Sequence, residues 1–398
     1  MHVLMITDAY PPMRTSCAVQ MYDLAQAFIE EGHQVTVITP DSTPKQNIRI
    51  TQQDGVRLVQ VKAFETKDIN YVSRTLAEFI NPFLIWQKLK KSSEFINTQY
   101  DGIIWYSPTI FWGPLIKRLK RQFKVKAYLI LRDIFPDWAL DLGLLKNGLG
   151  YQFLKTVENF QYQQADIIGV QSPNNLKYFN KKNPKVQATV QVLWNWIGEI
   201  KEIPCPIDLS KTIFARRKNF IYAGNMGIAQ DMDRIIDLAR ALKNNLEIGF
   251  VLIGRGSELE RIQVACQVEN LDNIIFFNEI NPAELPGLFK QCAVGMIALD
   301  SRHSSHNIPG KFLSYLLSGL PVLAIGNPGN DLEDIIKSNN IGIYQSFTSI
   351  DNIKILPLKI LEMQSSDIDL HDRCIRVAKE LFSSQIASKQ IETAFAEV

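Results

Sequence analysis

Ile308-Pro-Gly-Lys-Phe-Leu-Ser-Tyr-Leu-Leu-Ser-Gly-Leu-Pro-Val-Leu-Ala-Ile-Gly326 divides into two halves. Lys311 to Ser318 reads as a short helix, because Phe312, Leu313, Leu316 and Leu317 recur at spacings that bury one side. Gly319 falls where a helix ends in a left-handed residue, and Pro321 forbids its continuation. Val322 to Ile325 is then a brief apolar strand of the kind buried on both faces of a parallel sheet. The Pro309-Gly310 turn places Lys311 in the first helical turn, where the partial positive charge of the helix end disfavours a cation. An anion docked there resolves the conflict, since free backbone N–H groups and the dipole favour phosphate. The alternative is a helix–strand unit whose lysine is merely solvated.

Pro309 to Val322 resembles the signature P-S-K-x-x-E-Y-x-x-x-G-x-P-V of retaining GT-B glycosyltransferases, family four in the usual classification. Similar landmarks recur over nearly all 398 residues. The resemblance implies an α/β chain of GT-B architecture, two doubly wound Rossmann-like domains facing a cleft. It places Lys311 near the diphosphate of a nucleotide-sugar, probed at the same helix start by Pro309 and Gly310. The family's ribose-binding glutamate falls on Ser314, and its earlier acidic residue, eight positions upstream, on His306. The same departures resemble a subgroup that builds bacterial surface polysaccharides, including N-acetylfucosamine transferases.

A chain of 398 residues with 46% hydrophobic composition supplies two cores more naturally than one. Its five cysteines are scattered, odd in number and never in a C-x-x-C pair, which points to reduced thiols and neither a disulfide framework nor a zinc site. Met1 to Asp8 turns polar too soon for a signal peptide, and no run of about eighteen apolar residues spans a bilayer. The expected location is cytoplasmic, peripheral on the inner face of the membrane. Charge is unevenly divided: residues 1–197 hold 23 Lys/Arg against 16 Asp/Glu, whereas the remainder holds 20 against 25. Basic residues gather at Lys88, Lys90 and Lys91 and again from Lys117 to Lys126. No nucleic-acid recognition motif accompanies them, so nucleic acid is not an expected partner. Solvated helix faces and an anionic membrane surface remain as the two explanations.

Along the chain, His2 to Thr7 is a buried strand, Val19 to Glu31 an amphipathic helix and Gln34 to Thr39 the next strand. This βαβ unit lacks G-x-G-x-x-G, so a dinucleotide fingerprint is absent. Family members usually carry two glycines where this chain has Thr15-Ser16, beside Arg14, and the resemblance assigns that loop to the donor. Val56 to Val61 alternates like a strand. Leu76 to Ile96 reads as a helix or helical hairpin around Pro82, with an apolar face from Phe79 to Leu89 that includes Trp86. With its lysines this suits either a membrane-surface helix or a core helix. Asp101 to Tyr106 and Ala127 to Leu131 are two further strands, the second ending in Arg132-Asp133. Strand carboxyl ends in open α/β sheets face the ligand crevice. The R-D-x-F-P segment is similar to one in surface-polysaccharide transferases, which makes Asp133 a candidate to orient or deprotonate the acceptor hydroxyl. An internal ion pair or a helix cap is its structural alternative.

Trp194-Asn195-Trp196-Ile197 resembles the family's junction between domains, followed by a polar linker from Gly198 to Lys211. The domains expected are 1–197, with a closing helix at about 380–398 packing back on it, and 198–379. In the second, Asn219 to Gly224 is a strand and Gly224-Asn225-Met226-Gly227 turns into a helix over Met232 to Leu242. The wider family's diphosphate-neutralising arginine and lysine become Asn225 and Gln230, leaving the charge to Lys311 and Arg255. Asp231-Met-Asp233 mimics a D-x-D metal motif, but aspartates at a helix start are expected as caps. No metal or other cofactor is expected. Ile248 to Ile253 delivers Gly254-Arg255-Gly256, a loop that lets backbone approach phosphate. Asn278-Glu279-Ile280 is where family members hold the base. His303 and His306 lack a third metal ligand and suit sugar hydroxyls or phosphate instead.

The function the resemblance implies is transfer of a sugar, with retention, from a nucleotide-sugar donor, UDP-linked, to a lipid-linked saccharide acceptor in O-antigen, capsule or exopolysaccharide assembly. Lys311, Arg255 and backbone N–H groups would stabilise the leaving diphosphate in a preorganised field. A sugar-nucleotide 2-epimerase of the same fold and a catalytically inactive glycan-binding protein are the alternatives.

Overall fold

A computed structural model describes residues 1–13, 15–43, 46–66, 69–141, 143–300, 308–346 and 353–397. Arg14 and residues 301–307, which include His303 and His306, lie outside the described residues. The chain divides into one unit of Met1–Gly198 with Ser384–Val398 and a second of Glu199–Ser383.

The first unit is built on an eight-stranded sheet in the order β3-β4-β2-β1-β5-β6-β7-β8. Its strands are β1 His2–Ile6, β2 Gln34–Asp41, β3 Ile48–Gln53, β4 Val56–Lys62, β5 Gly102–Ser107, β6 Lys126–Leu131, β7 Ile167–Val170 and β8 Thr189–Val192. β1, β5, β6 and β7 are apolar runs buried along almost their whole length, as strands covered by helices on both faces must be. Every pairing is parallel except β3 with β4, where Ile50 faces Val59 in an antiparallel hairpin. That hairpin is absent from the sequence expectation. The run Ile48-Arg-Ile-Thr-Gln-Gln53 has only two strongly apolar residues, and the pairing with β4 makes it a strand.

Helix α1, Ser16–Glu30, starts earlier than its apolar pattern because Thr15 caps it, its Oγ1 accepting from Ala18 N at 3.3 Å. Helix α2, Tyr71–Leu89, runs through Pro82 without ending there. Asn81 holds that turn in place, accepting from Phe64 N and donating to Phe64 O, both at 2.9 Å. Ile85 and Leu89 are completely buried in the core between α2 and the sheet, and Trp86 packs half-buried against it. The apolar face expected from Phe79 to Leu89 is therefore split. Its C-terminal half is core, and its exposed part comprises Phe79, Ile80 and Phe83; Val72 and Leu76, earlier in the helix, are exposed as well.

Next come α3 Ser93–Ile96, α4 Gly113–Phe123, α5 Asp137–Asp141, α6 Leu149–Tyr162 and α7 Pro173–Lys182. The closing helix Ser384–Glu397 belongs to this unit. Phe395 packs edge-on to Tyr128 at 6.3 Å, Lys126 Nζ donates to Phe395 O at 2.9 Å, and Glu392 meets His33 at 3.3 Å.

The second unit has a six-stranded, wholly parallel sheet in the order β11-β10-β9-β12-β13-β14. Its strands are β9 Lys218–Ala223, β10 Ile248–Ile253, β11 Ile274–Phe277, β12 Val294–Ala298, β13 Val322–Gly326 and β14 Gly342–Ser346. Helices α8 Met232–Ala241, α9 Leu259–Val268, α10 Leu285–Phe289, α11 Gly310–Leu317 and α12 Asp331–Asn339 cover it with the closing helices Leu356–Ser366 and Leu370–Phe382. The segment after β11 is a 3-10 turn, Pro282–Glu284, followed by the five-residue α10. Pro286 sits in the first turn of α10, where its missing N–H and ring fit a new start better than a continuing helix. Both sheets turn about a strand-order reversal, β2-β1-β5 in the first and β10-β9-β12 in the second, the doubly wound arrangement.

Candidate functional site

In the second unit, the carboxyl end of β9 and the amino end of α11 meet. Tyr315 joins them: its hydroxyl accepts from Ala223 N at 2.8 Å, and its ring lies under Gly295, where a β-carbon would come within 2.4 Å of it. Pro309 occupies the cap position of α11 with no side-chain hydrogen bond, so the first backbone N–H groups of that helix carry no side-chain cap. Gly319 ends the segment at φ +73°, with the His371 ring against its α-carbon.

The Lys311 ammonium lies 3.4 Å from the centroid of the Tyr222 ring and beside Gly224, whose notional β-carbon would be 3.8 Å from Nζ. No carboxylate pairs with it among the described residues. Burial pushes this lysine down to about 7. The π face of Tyr222 works against that shift by favouring the cation. A lysine held down by burial, in the first turn of a helix without a side-chain cap, suits an anion.

Around it, Gly224 (φ +125°), Gly254 (φ +144°) and Gly256 (φ +153°) let two loops interlock. Met226 N donates to Arg255 O at 2.7 Å, Glu258 N to Met226 O at 3.0 Å, and Gly224 N to Ile253 O at 2.9 Å. A β-carbon on Gly254 would stand 2.0 Å from Gly224 O, and one on Gly256 2.3 Å from Met226 O. Asn225 and Gln230 bond to each other at 3.0 Å, and Gln230 also accepts from Gly227 N at 3.1 Å. Where the resemblance expects charges, these two amides close the turn.

The other residues marked out by the sequence fall into place less tightly. Arg255 is largely exposed and paired with Glu279 at 3.0 Å, pointing to a different partner from that of Lys311. Ile280 is half-buried just after β11. Ser314 is half-buried, its hydroxyl 3.5 Å from Gly310 O one turn back. Asp231 occupies the cap position of α8 at φ +38°, but it makes no side-chain cap bond and pairs with Arg234 at 3.3 Å. Asp233 pairs with Arg261 at 2.8 Å. The capping role expected of these two carboxylates is thus replaced by arginine pairing. Thr15 and Ser16 start α1 in the first unit.

In that unit Arg132 and Asp133 follow directly on β6, at the carboxyl end of the sheet. Arg132 is buried with its guanidinium 4.4 Å from the Trp196 ring centroid and 5.8 Å from that of Tyr106, and Nη1 donates to Leu193 O at 3.3 Å. Burial lowers its pKa. Asp133 beside it is half-buried. The loop carrying Asp133 is pinned by Asp137, which accepts from Tyr151 at 2.7 Å and Lys155 at 2.6 Å, while Lys155 also meets Glu158. Burial pushes Glu158 up to about 7 despite Lys155. Gln20 links Tyr106, Asn195 and Trp196 through three hydrogen bonds. Neither Gln20 nor Tyr222 stands out in the sequence: one sits in an amphipathic helix pattern and the other in an apolar strand.

Residues 208–381, nearly the whole second unit, match the family model of glycosyl transferases group 1. The chain is 23% identical to the probable glycosyltransferase WbjE of Pseudomonas aeruginosa, over 68% of each chain. It is 22% identical to the putative colanic acid biosynthesis glycosyl transferase WcaI of Escherichia coli K12, covering 80% of this chain and 82% of that one. Among solved structures it resembles Anabaena HepE in complex with UDP, with a TM-score of 0.68, 13% identity and all of both chains covered. The two parallel-sheet units are those of the GT-B fold.

Proposed function

We propose that the chain is a retaining glycosyltransferase of polysaccharide assembly, moving a sugar from a UDP-linked donor, an acetamido-deoxy sugar by the subgroup resemblance, to a lipid-linked saccharide. The Lys311 ammonium, beside the Gly224 turn at the start of α11 and without a carboxylate partner among the described residues, carries the reading. A sugar diphosphate supplies the charge that this place lacks. The two relatives named as glycosyltransferases, one of them for colanic acid biosynthesis, and the fold likeness to a UDP-bound structure support it. Lys311 and the interlocked loop N–H groups would hold negative charge as the anomeric bond breaks. The acceptor hydroxyl would attack from the face the diphosphate leaves and pass its proton to that phosphate, with Asp133 orienting it. Arg255 would join the diphosphate by leaving Glu279, and His306, Thr15 and Ser16 would contact the donor sugar. No metal takes part in this scheme. Release of UDP that requires acceptor and persists in EDTA tests the proposal; an epimerised donor, binding without turnover, or loss of activity on chelation would overturn it.

A lysine held near 7 makes donor binding pH-dependent. UDP-glucose is the suitable probe because its phosphates do not titrate near neutrality. Below pH 7 Lys311 is already protonated, so affinity is flat. Above it, binding must take up a proton, and affinity falls with rising pH at a slope that approaches tenfold per pH unit. Calorimetry in two buffers of different ionisation enthalpy reads that uptake directly. The empty protein shows the opposite sign. The unfolded lysine binds its proton up to the ordinary 10.5, so this group's contribution to stability rises between about 7 and 10.5.

Peripheral attachment to anionic membrane belongs to the same proposal. Phe79 gathers Phe83, Phe111 and Phe153 at 6.0–6.3 Å, with Arg118 over Phe83 at 5.1 Å and Lys90 and Lys91 exposed nearby in sequence. Each cation near an anionic surface contributes about 1 kcal/mol. Sedimentation with anionic vesicles should fall with salt and with Lys90→Glu/Lys91→Glu. Equal pelleting with neutral vesicles, or an unaffected double variant, would contradict it.

A further inference from the structure

Alternation along β9 puts Phe220 and Tyr222 on one face of the sheet, where both are completely buried in the core with Met226 and Met232. Tyr222 also makes two contacts that packing alone does not require. The Lys311 ammonium, at the start of α11, stands 3.4 Å from its ring centroid. Its hydroxyl donates to Asn225 O at 2.6 Å, in the turn that follows β9. A phenylalanine here would fill the same core and make only the first contact.

Both contacts restrain groups that are otherwise loose. A lysine carries a point charge on a flexible four-carbon stem. Over a ring face the ammonium is drawn towards the centroid, more strongly as water is displaced. The turn opens with Gly224 at φ +125°. Within it Gly224 N, Met226 N and Gly227 N have acceptors in Ile253 O, Arg255 O and Gln230 Oε1, whereas Asn225 N has none among the described residues. Tyr222 therefore grips the residue whose N–H is left over as well as the cation beside that turn. The titratable groups of β9 and α11 around Lys311 are two phenols, Tyr222 and Tyr315, which burial pushes up and keeps neutral near pH 7. Arg255, on the facing loop, is paired with Glu279, and burial is what moves Lys311 itself.

We infer that Tyr222 is a positioning residue for the donor diphosphate: its ring face fixes the Lys311 ammonium and its hydroxyl fixes Asn225, so that one buried side chain holds the cation and the unused N–H ready for a shared anion. This rests on the transfer reading and deepens it. Tyr222 acts through Lys311 and the turn, and does not itself touch the donor.

Two variants of the full chain separate the contacts. Tyr222→Phe keeps the ring face and loses the hydroxyl, whereas Tyr222→Leu loses both. UDP-glucose affinity is measured by calorimetry across the neutral pH range. In wild type and Tyr222→Phe it should begin to fall at the same pH, with Tyr222→Phe weaker by a constant factor throughout. In Tyr222→Leu the fall should begin about one pH unit lower, the shift to which a partly desolvated cation–π contact corresponds. Its loss relative to Tyr222→Phe should therefore grow to about tenfold above neutrality and shrink in acid. A merely structural role weakens binding alike at every pH. In a Lys311→Ala background the difference between Tyr222→Leu and Tyr222→Phe should vanish, because the ring acts through the lysine.

A second measurement needs no donor. The ε-methylene protons of Lys311, followed by NMR in isotope-labelled protein and assigned by their disappearance in Lys311→Ala, should be shifted upfield by the Tyr222 ring. The shift is read in wild type itself, whether or not Tyr222→Leu folds, and should persist in Tyr222→Phe. Absence of that shift in wild type, or the same pH profile for Tyr222→Leu as for Tyr222→Phe, would overturn the inference. UDP-glucose bound through Lys311 with no upfield shift sinks the role of Tyr222 alone. An upfield shift without UDP-glucose binding sinks the transfer reading and leaves the lysine–tyrosine pair standing.

Discussion

Lys311→Ala is expected to lower the affinity for UDP-glucose about ten- to a hundredfold. A hydrogen bond to a charged group is worth about 1.5–3 kcal/mol, and among the described residues this lysine has no carboxylate partner to keep. The empty variant should be no less stable than wild type at neutral pH, because the substitution removes a cation that burial already disfavours. Loss of binding without loss of stability is the signature that separates a ligand contact from a packing residue. Arg255→Ala is the comparison. Its exposed ion pair with Glu279 is of a kind worth about 0–1 kcal/mol, so the effect on stability is small. Binding isotherms and melting curves on the three proteins decide the matter, and unchanged UDP-glucose affinity in folded Lys311→Ala would remove the lysine from the site.

Gly254→Ala is expected to be severely damaging to the second unit. Its φ of +144° is strained for any L side chain, and the new β-carbon would lie 2.0 Å from the Gly224 carbonyl oxygen. Backbone strain costs about 1–3 kcal/mol and overpacking about 1–3 kcal/mol more. Together they correspond to a fall of roughly 5–20 °C in the melting temperature of a unit of this size. The obstructing atom belongs to the backbone of the neighbouring loop, so no rotamer change relieves it. UDP-glucose binding should be lost with it, since that loop brings Gly224 beside Lys311. Gly310→Ala is the control: a β-carbon there meets nothing within 4 Å, and the melting temperature should hardly move. A thermally unchanged Gly254→Ala protein would show that the two loops do not interlock as described.

How far each feature was legible follows from the range of the interactions that make it. Strands buried on both faces announce themselves as apolar runs, and β1, β5, β9, β10 and β12 all do so. Gly319 before Leu320-Pro321 marks the end of α11 for local conformational reasons alone. The alternation of such strands with helices was enough for the doubly wound architecture, and the Pro309–Val322 signature was enough to single out Lys311.

Tertiary structure decided what depends on partners distant in sequence. β3 is a strand because β4 pairs with it, not because of its own composition. α2 buries Ile85 and Leu89 in the core and leaves Leu76, Phe79 and Ile80 outside; its pattern alone is equally apolar along both. Asn225 and Gln230 are uncharged by sequence, but only their hydrogen bond shows that they close the turn. Asp231 and Asp233 meet Arg234 and Arg261, the second from a different helix. The Tyr222 ring that lies beneath the Lys311 ammonium comes from 89 positions earlier, and nothing local to the signature shows it. Burial and charge pairing are sums over spatial neighbours, so the sequence determined the elements, and the packing of the chain determined which charges found partners.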